Sequence, residues 1–337
     1  MIELIQGVLN DFCNRFGDTR MQVFSVLVGD LTGKRLILSG QVLEQSQLDA
    51  LRQTLLKELP DLQVDERGVR VLRQPQNPKL SVSVNLTSLH AKPSWLAEQL
   101  SQLLFGAELE VLDEDDHWVF VRQSDGYLGW AYRPYLSTEL PAQPTHHILA
   151  PISLVFSGPD ASTGLITRLM AGTCVKLLET HDDWAKVRAS YTGWVQKSEL
   201  RPLDFSAKTD IERREVLVAD AQLLLGVPYL WGGCSANGID CSGLAQLAYR
   251  LQGIEIPRDA DMQFNAARKV QPPYKPGDLI FYGEHGDDRT ISHVSISLGG
   301  WNIIHSSRSR NGVYFDNVQH VEGLRESFCG AATYLDE

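Results

Sequence analysis

The sequence predicts a multidomain protein that combines a small α/β module at the N-terminus, two small β-barrels and a C-terminal α+β domain. The chain has 337 residues, which is too long for one ordinary hydrophobic core. Two segments in its middle third repeat each other and have the pattern of short strands. Beyond residue 208, a helical half precedes three apolar strand-like runs, and this order is typical of an α+β domain.

Residues 1–80 predict the α/β module. An amphipathic opening segment precedes "MQVFSVLVG" and "KRLILSG", which have the composition of strands, and "GVRVLR" is a third strand. Before that third strand, Leu48, Leu51, Leu55 and Leu59 recur at helical spacing and would line one face of a helix. The order of elements is similar to that of the small modules called BON-like, and this segment carries no catalytic constellation.

The internal repeat predicts the two barrels. "GAELEVLDEDDHWVFVRQSDGYLGWAYRPYL" aligns with "GTCVKLLETHDDWAKVRASYTGWVQKSEL", and Gly and Asp turns separate the short strands. The matched pairs include Trp118 with Trp184, Val121 with Val187, Tyr127 with Tyr191 and Trp130 with Trp194. The "W-x-x-V-R" and "Y-x-G-W" strands resemble those of bacterial SH3-like domains, which places one domain at residues 81–140 and another at 146–204. Most of the Trp and Tyr side chains are expected to fill the barrel cores.

Composition excludes several classes of partner. The fractions of hydrophobic (43%) and charged (22%) residues are those of a soluble globular protein. The net charge of −11 argues against nucleic acid and against anionic membrane surfaces, since no basic stripe is present. The five cysteines are odd in number and unpaired in spacing, so no disulfide framework is expected. The N-terminus lacks a basic start before an apolar run, so it is not read as a secretory signal, and we expect a cytoplasmic protein of unknown oligomeric state.

The last third carries the chemistry. In "NGIDCSGLAQLAYRL", Cys241 directly precedes an amphipathic helix, whose free N–H groups and dipole favour a thiolate. His293 and His305 lie in successive strand-like runs, and a cysteine hydrolase needs a base and a group that orients it. Two alternatives remain: Cys241 as a small buried core residue, or a metal site of Cys241, His293, His305 and His285. Metal ligands at short local spacing are missing, so we predict no metal and no cofactor.

Five motifs add a family resemblance. "YLWGG", "GIDCSGL", "GDLIFYG", "SHVSISLG" and "IIHSS" occur in this order between residues 229 and 307. They resemble the motifs of NlpC-type cell-wall cysteine peptidases, which have a papain-like fold, and the resemblance assigns residues 208–337 to the catalytic domain. With the SH3-like repeats included, the chain resembles γ-D-glutamyl-L-diamino-acid endopeptidases that act on free murein peptides.

The resemblance implies a role for each matched position. Cys241 would be the nucleophile, His293 the general base and His305 the residue that orients the base. Asp240, with Ser242 beside it, would bind the free α-amine of the substrate's terminal L-Ala. The remaining substrate-binding residues would be Glu98 and Tyr127 from the first SH3-like domain, Tyr229 and Trp231 in the cleft, and Arg258 and Asp259.

The residue types by themselves permit a plainer interpretation of the amine site. Asp240 and Ser242 could simply cap the helix. A carboxylate beside a thiolate is nevertheless unfavourable unless a cation arrives there, and a substrate ammonium would be that cation. Glu98 alone would be an ordinary solvated charge.

The expected function is cleavage of the bond between γ-D-Glu and a diamino acid in murein peptides, with release of L-Ala-D-Glu, in cell-wall recycling. Two alternatives stay open: a secreted autolysin that acts on intact peptidoglycan, and a catalytically silent protein that binds murein peptides.

The triad also requires His293 and His305 to lie on the same face of their hairpin. A plain two-residue turn at Gly299 and Gly300 would place His305 opposite Val294 and put His293 on the other face of the hairpin. We therefore predict an odd-length loop or a β-bulge between the two histidines.

Overall fold

A computed structural model describes residues 1–140, 143–205, 207, 209–284 and 290–336. His285, one of the four candidate metal ligands, lies outside the described residues. The N-terminal module contains α1 (Ile2–Arg15), β1 (Phe24–Thr32), β2 (Arg35–Val42), α2 (Gln45–Glu58) and β3 (Gln63–Val71).

The N-terminal module is a three-stranded sheet covered by two helices. β1 and β2 form an antiparallel hairpin. α2 connects β2 to β3, and β3 pairs with β2 in parallel. The predicted leucine face of α2 is largely buried at Leu48, Leu51 and Leu55, and α1 adds Ile5 and Leu9 to the same core. The predicted order of elements is present.

Each repeat forms a β-barrel-like sheet of seven strands. The first contains β4 (Lys79–Val82), β5 (Leu86–His90), β6 (Gln99–Leu104), β7 (Glu108–Asp115), β8 (Trp118–Arg122), β9 (Leu128–Tyr132) and β10 (Leu136–Ser137). The second contains β11 (His146–Ile148), β12 (Ile152–Phe156), β13 (Leu165–Met170), β14 (Cys174–His181), β15 (Trp184–Arg188), β16 (Thr192–Gln196) and β17 (Leu200–Pro202). A short 3-10 helix precedes the last strand in both, at Arg133–Tyr135 and Lys197–Glu199. The two matched sequences therefore adopt matched structures, and β4 begins slightly before the predicted boundary at residue 81.

The C-terminal domain packs helices against one antiparallel sheet, as predicted for an α+β domain. Its elements are α3 (Asp210–Gln222), β18 (Cys234–Ser235), β19 (Gly238–Ile239), α4 (Cys241–Arg250), α5 (Ala260–Ala266), β20 (Arg268–Val270), β21 (Leu279–Glu284), β22 (Thr290–Gly299), β23 (Asn302–Ser307), β24 (Gly312–Asn317), α6 (Glu322–Glu326) and β25 (Phe328–Thr333). The sheet order is β20-β25-β21-β22-β23-β24. α4 lies on the sheet and buries Leu244 and Leu247 with Val294 and Ile296 of β22 in one core. The start of α4 is thereby held beside the strand that carries His293.

The N-terminal module is docked on the first barrel. Leu43 and Leu72 of the module share a buried apolar cluster with Leu112 and Leu128 of the barrel. An ion pair between Arg70 and Asp113 crosses the same interface. This docking brings the segment between α1 and β1 to the edge of the cleft described below.

The cysteines agree with the expectation of no disulfide framework. All five cysteines are free: Cys13, Cys174, Cys234, Cys241 and Cys329. Within the described ranges, no helix combines the length and apolar character needed to cross a membrane.

Candidate active site

Cys241 is the first residue of α4, as the sequence predicts. Asp240 is the N-cap of this helix, and its Oδ1 accepts a hydrogen bond of 2.7 Å from the Gly243 N–H. The Cys241 side chain lies at a cavity, although the residue is only 9% exposed. The alternative of a core cysteine is thus partly right, because Cys241 is buried at the edge of the apolar core and faces open space on its other side.

The structure corrects the expectation of a preformed thiolate at Cys241. Burial raises the pKa of the thiol to about 12, and the negative charge of Asp240 acts in the same direction. The N–H groups of Val294 and Ser242 and the charge of Arg258 lower the pKa, but they do not outweigh burial. A helix N-terminus alone therefore does not ionise this cysteine. Burial also lowers the pKa of His293 to about 3, so the resting site holds a neutral thiol and a neutral imidazole.

The predicted bulge between the two histidines is present. Ile296 pairs with Ile304 and Ser297 with Ile303, but Gly299 pairs with Asn302, so the register shifts at Leu298. The turn is consequently Gly300–Trp301 and not Gly299–Gly300. The register before the bulge places His305 opposite Ser295, on the face of the sheet that His293 shares. The His293 Nε2 and His305 Nδ1 atoms are 2.8 Å apart.

Asp316, which the sequence did not predict as a site residue, extends the pair of histidines to a chain of three hydrogen-bonded side chains. Asp316 Oδ2 lies 3.0 Å from His305 Nε2, and Arg310 Nη1 lies 2.9 Å from the other carboxylate oxygen. An ionised carboxylate only accepts hydrogen bonds, so His305 carries its proton on Nε2 and its Nδ1 accepts from the His293 Nε2–H. His293 Nδ1 is then the free basic nitrogen. The available signal was the alternation of "GVYFDN" in β24, which places Asp316 diagonal to His305 on the same face.

The cation beside Asp240 belongs to the protein itself. Arg258 donates to both carboxylate oxygens of Asp240, at 3.1 and 2.6 Å, and to Ser242 Oγ at 2.9 Å. Asp240 Oδ2 also accepts from the Gly232 N–H. The argument that Asp240 needs a substrate ammonium is therefore wrong, since Arg258, which is 1% exposed, already neutralises it. Arg258 itself lies behind Asp240 and is not among the cavity-lining residues.

Asp259 is a second carboxylate that lines the cavity. Its Oδ2 accepts a hydrogen bond of 2.9 Å from the Tyr127 hydroxyl, which brings the first barrel to the cavity. Tyr127 is 2% exposed, whereas Tyr191, its counterpart in the second repeat, is 59% exposed. Tyr127 therefore faces the cavity as well as the core of the first barrel. Burial raises the pKa of Asp259, as expected for a carboxylate that a further cation would stabilise.

The other predicted residues lie along the same cavity. Trp231 donates from Nε1 to Glu98 Oε1 at 2.8 Å, and this bond joins the first barrel to the cleft loop. Tyr229 lies close enough to Cys241 for the cysteine's charge to raise its pKa, which burial brings to about 12. The cavity measures about 1510 Å3. The predicted residues that line it are Cys241, His293, His305, Asp240, Ser242, Glu98, Tyr127, Tyr229, Trp231 and Asp259.

The metal alternative finds no support in the histidine geometry. His305 uses both ring nitrogens in hydrogen bonds, and His293 uses Nε2. In the described part of the chain, no group of three or more His, Cys, Asp and Glu side chains is arranged to hold a metal ion.

Comparisons with known proteins give similarities for most of the chain. Residues 226–331 match the NlpC/P60 family, and residues 89–131 and 155–200 match the bacterial dipeptidyl-peptidase SH3 domain. The chain is 28% identical over 254 residues to a gamma-D-glutamyl-L-lysine dipeptidyl-peptidase of Bacillus cereus, covering 70% of this chain and 75% of that protein. It is also 28% identical over 221 residues to the protein of the same name from Bacillus subtilis, covering 62% and 72%.

A solved structure gives the same result for the fold. The crystal structure of an NlpC/P60 family protein from Bacillus cereus superposes with a TM-score of 0.66 and 22% sequence identity. The superposition covers 77% of this chain and 100% of the other.

Proposed function

We propose that this chain, which carries an NlpC/P60 domain behind two bacterial SH3-like domains, is a cysteine peptidase that cleaves the bond between γ-D-Glu and a diamino acid in murein peptides. The observation that carries the proposal is the hydrogen-bonded line from His293 through His305 to Asp316, which ends in the cavity that Cys241 also lines. Relatives named as peptidases support peptidase activity on peptidoglycan peptides in general. The choice of bond follows the names of two of these relatives, and the preference for a free N-terminal amine rests on the residues of the cavity.

The geometry suits a general-base mechanism. Because the resting thiol is neutral, His293 Nδ1 takes the proton of Cys241 as the sulfur attacks the γ-carbonyl carbon. The Cys241 N–H lies in the first turn of α4, where the helix offers it no acceptor, and it would stabilise the oxyanion. Tyr229, whose pKa of about 12 keeps its hydroxyl protonated, is the second donor.

The second half of the reaction reverses these roles. The imidazolium of His293 donates its proton to the departing amine of the diamino acid. Water, deprotonated by the same nitrogen, then hydrolyses the Cys241 thioester and releases L-Ala-D-Glu. The hydrogen bonds between Asp316 and His305 and between His305 and His293 hold the imidazole of His293 by its Nε2 atom. Its Nδ1 atom stays available for proton transfer in both steps.

Acidic side chains of the cavity support selection of a free N-terminal amine. Asp259 and Glu98 are carboxylates that line it, and Tyr127 fixes Asp259 by a hydrogen bond. Arg20 pairs with Asp259, but it also pairs with Asp18 and Asp261, so one cation faces three carboxylates. A substrate ammonium would compensate part of the negative charge that remains. In intact peptidoglycan the L-Ala nitrogen is part of an amide bond, so it carries no positive charge. This selectivity supports action on released peptides, and we extend the proposal to cytoplasmic recycling of murein fragments.

One assay tests the proposal. Purified protein is incubated with L-Ala-γ-D-Glu-diaminopimelate and with its N-acetylated form, and the products are identified by mass spectrometry. We expect L-Ala-D-Glu from the free peptide, at least roughly thirtyfold faster than cleavage of the acetylated one, and no product with Cys241→Ala. Equal cleavage of both peptides, or cleavage of intact peptidoglycan sacculi, would favour the autolysin. Binding of the peptide without any turnover would favour the silent binding protein.

A further inference from the structure

Arg20 extends from the N-terminal module into the catalytic domain. It lies in the segment between α1 and β1, and it contacts three carboxylates at once. Nη1 is 2.9 Å from Asp259 Oδ2, Nη2 is 2.7 Å from Asp261 Oδ2, and Nη2 is also 2.9 Å from Asp18 Oδ2. Nη1 adds a bond of 2.9 Å to Asp261 Oδ1. Arg20 thus ties its own module to the start of α5.

The backbone around Arg20 is fixed by the first barrel. The Arg20 carbonyl accepts a hydrogen bond of 2.8 Å from the Leu128 N–H of β9. The next residue, Met21, packs against the buried core of that barrel. Three parts of the protein therefore meet at one residue, and its guanidinium has little freedom to move.

The contacts leave one oxygen of Asp259 for a ligand. Oδ2 is shared by Arg20 Nη1 and the Tyr127 hydroxyl, both at 2.9 Å. Oδ1 has no hydrogen-bond partner in the described residues, and Asp259 lines the cavity together with Arg20. A carboxylate held by one oxygen on two donors presents the other oxygen in a fixed position.

We propose that Arg20 of the N-terminal module is a positioning residue for substrate specificity, which holds Asp259 so that Oδ1 receives the substrate's α-ammonium group. The inference rests on the proposed function and assigns a purpose to the N-terminal module. Without Arg20, Asp18, Asp259 and Asp261 would repel one another, and Asp259 would lose one of the two bonds that fix it. The module is then part of the substrate site and more than a scaffold.

Binding of the product dipeptide tests this assignment. The probes are L-Ala-γ-D-Glu and its N-acetylated form, titrated calorimetrically into the full chain. Arg20→Gln should weaken binding of the free dipeptide about tenfold, the cost of one perturbed charged hydrogen bond, and leave the acetylated form unchanged. Arg20→Lys keeps the charge and should recover part of the loss, because a lysine cannot reproduce the two-carboxylate fork.

Arg70→Gln is the matched control. It removes another arginine of the same module, whose ion pair with Asp113 joins the module to the first barrel away from the cavity. We expect wild-type binding from this variant, and thermal unfolding of all variants verifies that each is folded.

Four results would overturn the inference. Arg20→Gln could bind the free dipeptide as wild type does, it could weaken both forms equally, or Arg70→Gln could cause the same selective loss. Equal affinity of the wild-type protein for the free and the acetylated dipeptide would also reject the inference, since no ammonium site would then exist. The cleavage assay separates this from failure of the proposed function, because a wild type that hydrolyses murein peptides without amine selectivity remains a peptidase.

Discussion

Replacement of Asp316 by asparagine tests the hydrogen-bonded line behind the general base. Arg310 and His305 both donate to the Asp316 carboxylate. An arginine cannot accept a hydrogen bond, so the carbonyl oxygen of the introduced amide turns to Arg310 and its NH2 group turns to His305 Nε2. His305 must then carry its proton on Nδ1, which reverses the donor and acceptor roles between His305 and His293. The nitrogen of His293 that serves Cys241 would be protonated and could not act as a base.

The expected loss follows from the contacts of Asp316. Its bond to His305 is 3.0 Å long and its side chain is 17% exposed, so this is a largely desolvated, charge-assisted hydrogen bond. Such a bond contributes about 1.5–3 kcal/mol, or roughly 10- to 100-fold in rate. The reversed tautomer adds to this, so we expect kcat for Asp316→Asn to fall about 100-fold or more. KM should change little, because Asp316 contacts His305 and Arg310 and is not one of the carboxylates proposed to bind the substrate's amine.

The assay is steady-state hydrolysis of L-Ala-γ-D-Glu-diaminopimelate, with Asp316→Ala as the companion variant. Alanine removes the bond but imposes no tautomer, so its loss should be smaller than that of asparagine. The ion pair of Asp316 with the half-exposed Arg310 contributes little, and Arg310→Gln should stay within about threefold of wild type. If Asp316→Asn retains more than half of the wild-type kcat, or if alanine is the worse substitution, the proposed tautomer assignment is wrong.

Three further predictions concern charge and burial. Asp240→Asn should cost about 3–5 kcal/mol of unfolding free energy by urea denaturation, since it leaves the buried Arg258 cation unpaired; a loss below 1 kcal/mol would contradict this. Iodoacetamide at pH 7 should label the exposed Cys13 before Cys241, whose labelling should rise steeply with pH because its pKa is raised to about 12; peptide mass mapping would reveal the reverse order. An unfolded histidine titrates near 6.5, whereas burial lowers the pKa of His293 to about 3, so the unfolded chain binds more protons between these values. The free energy of unfolding should therefore fall as the pH is lowered from about 6.5 towards 3, and His293→Gln should make that decline shallower in urea melts at pH 7 and pH 5.

The sequence alone determined those features that depend on residues close together in the chain. Helical spacing located α4, and its first turn fixed both the position of Cys241 and the capping by Asp240. Strand alternation is equally local, and the need to bring His293 and His305 to one face was enough to predict an odd-length loop or a β-bulge between them. The structure places that bulge at Leu298. The repeats fixed the order of the barrels because matched sequences adopt matched structures.

The pairing of charges, and the extent to which each is removed from water, depends on the tertiary structure. Arg258 neutralises Asp240 across 18 residues of chain, and Arg20 reaches Asp259 across 239. No local period encodes such pairs, because they depend on how distant segments pack within the catalytic domain and, for Arg20, on how separate domains dock. The pKa of Cys241 also depends on the tertiary structure. The helix start that favours a thiolate is visible in the sequence, but the burial that outweighs it arises only when the strand of His293 packs against that helix.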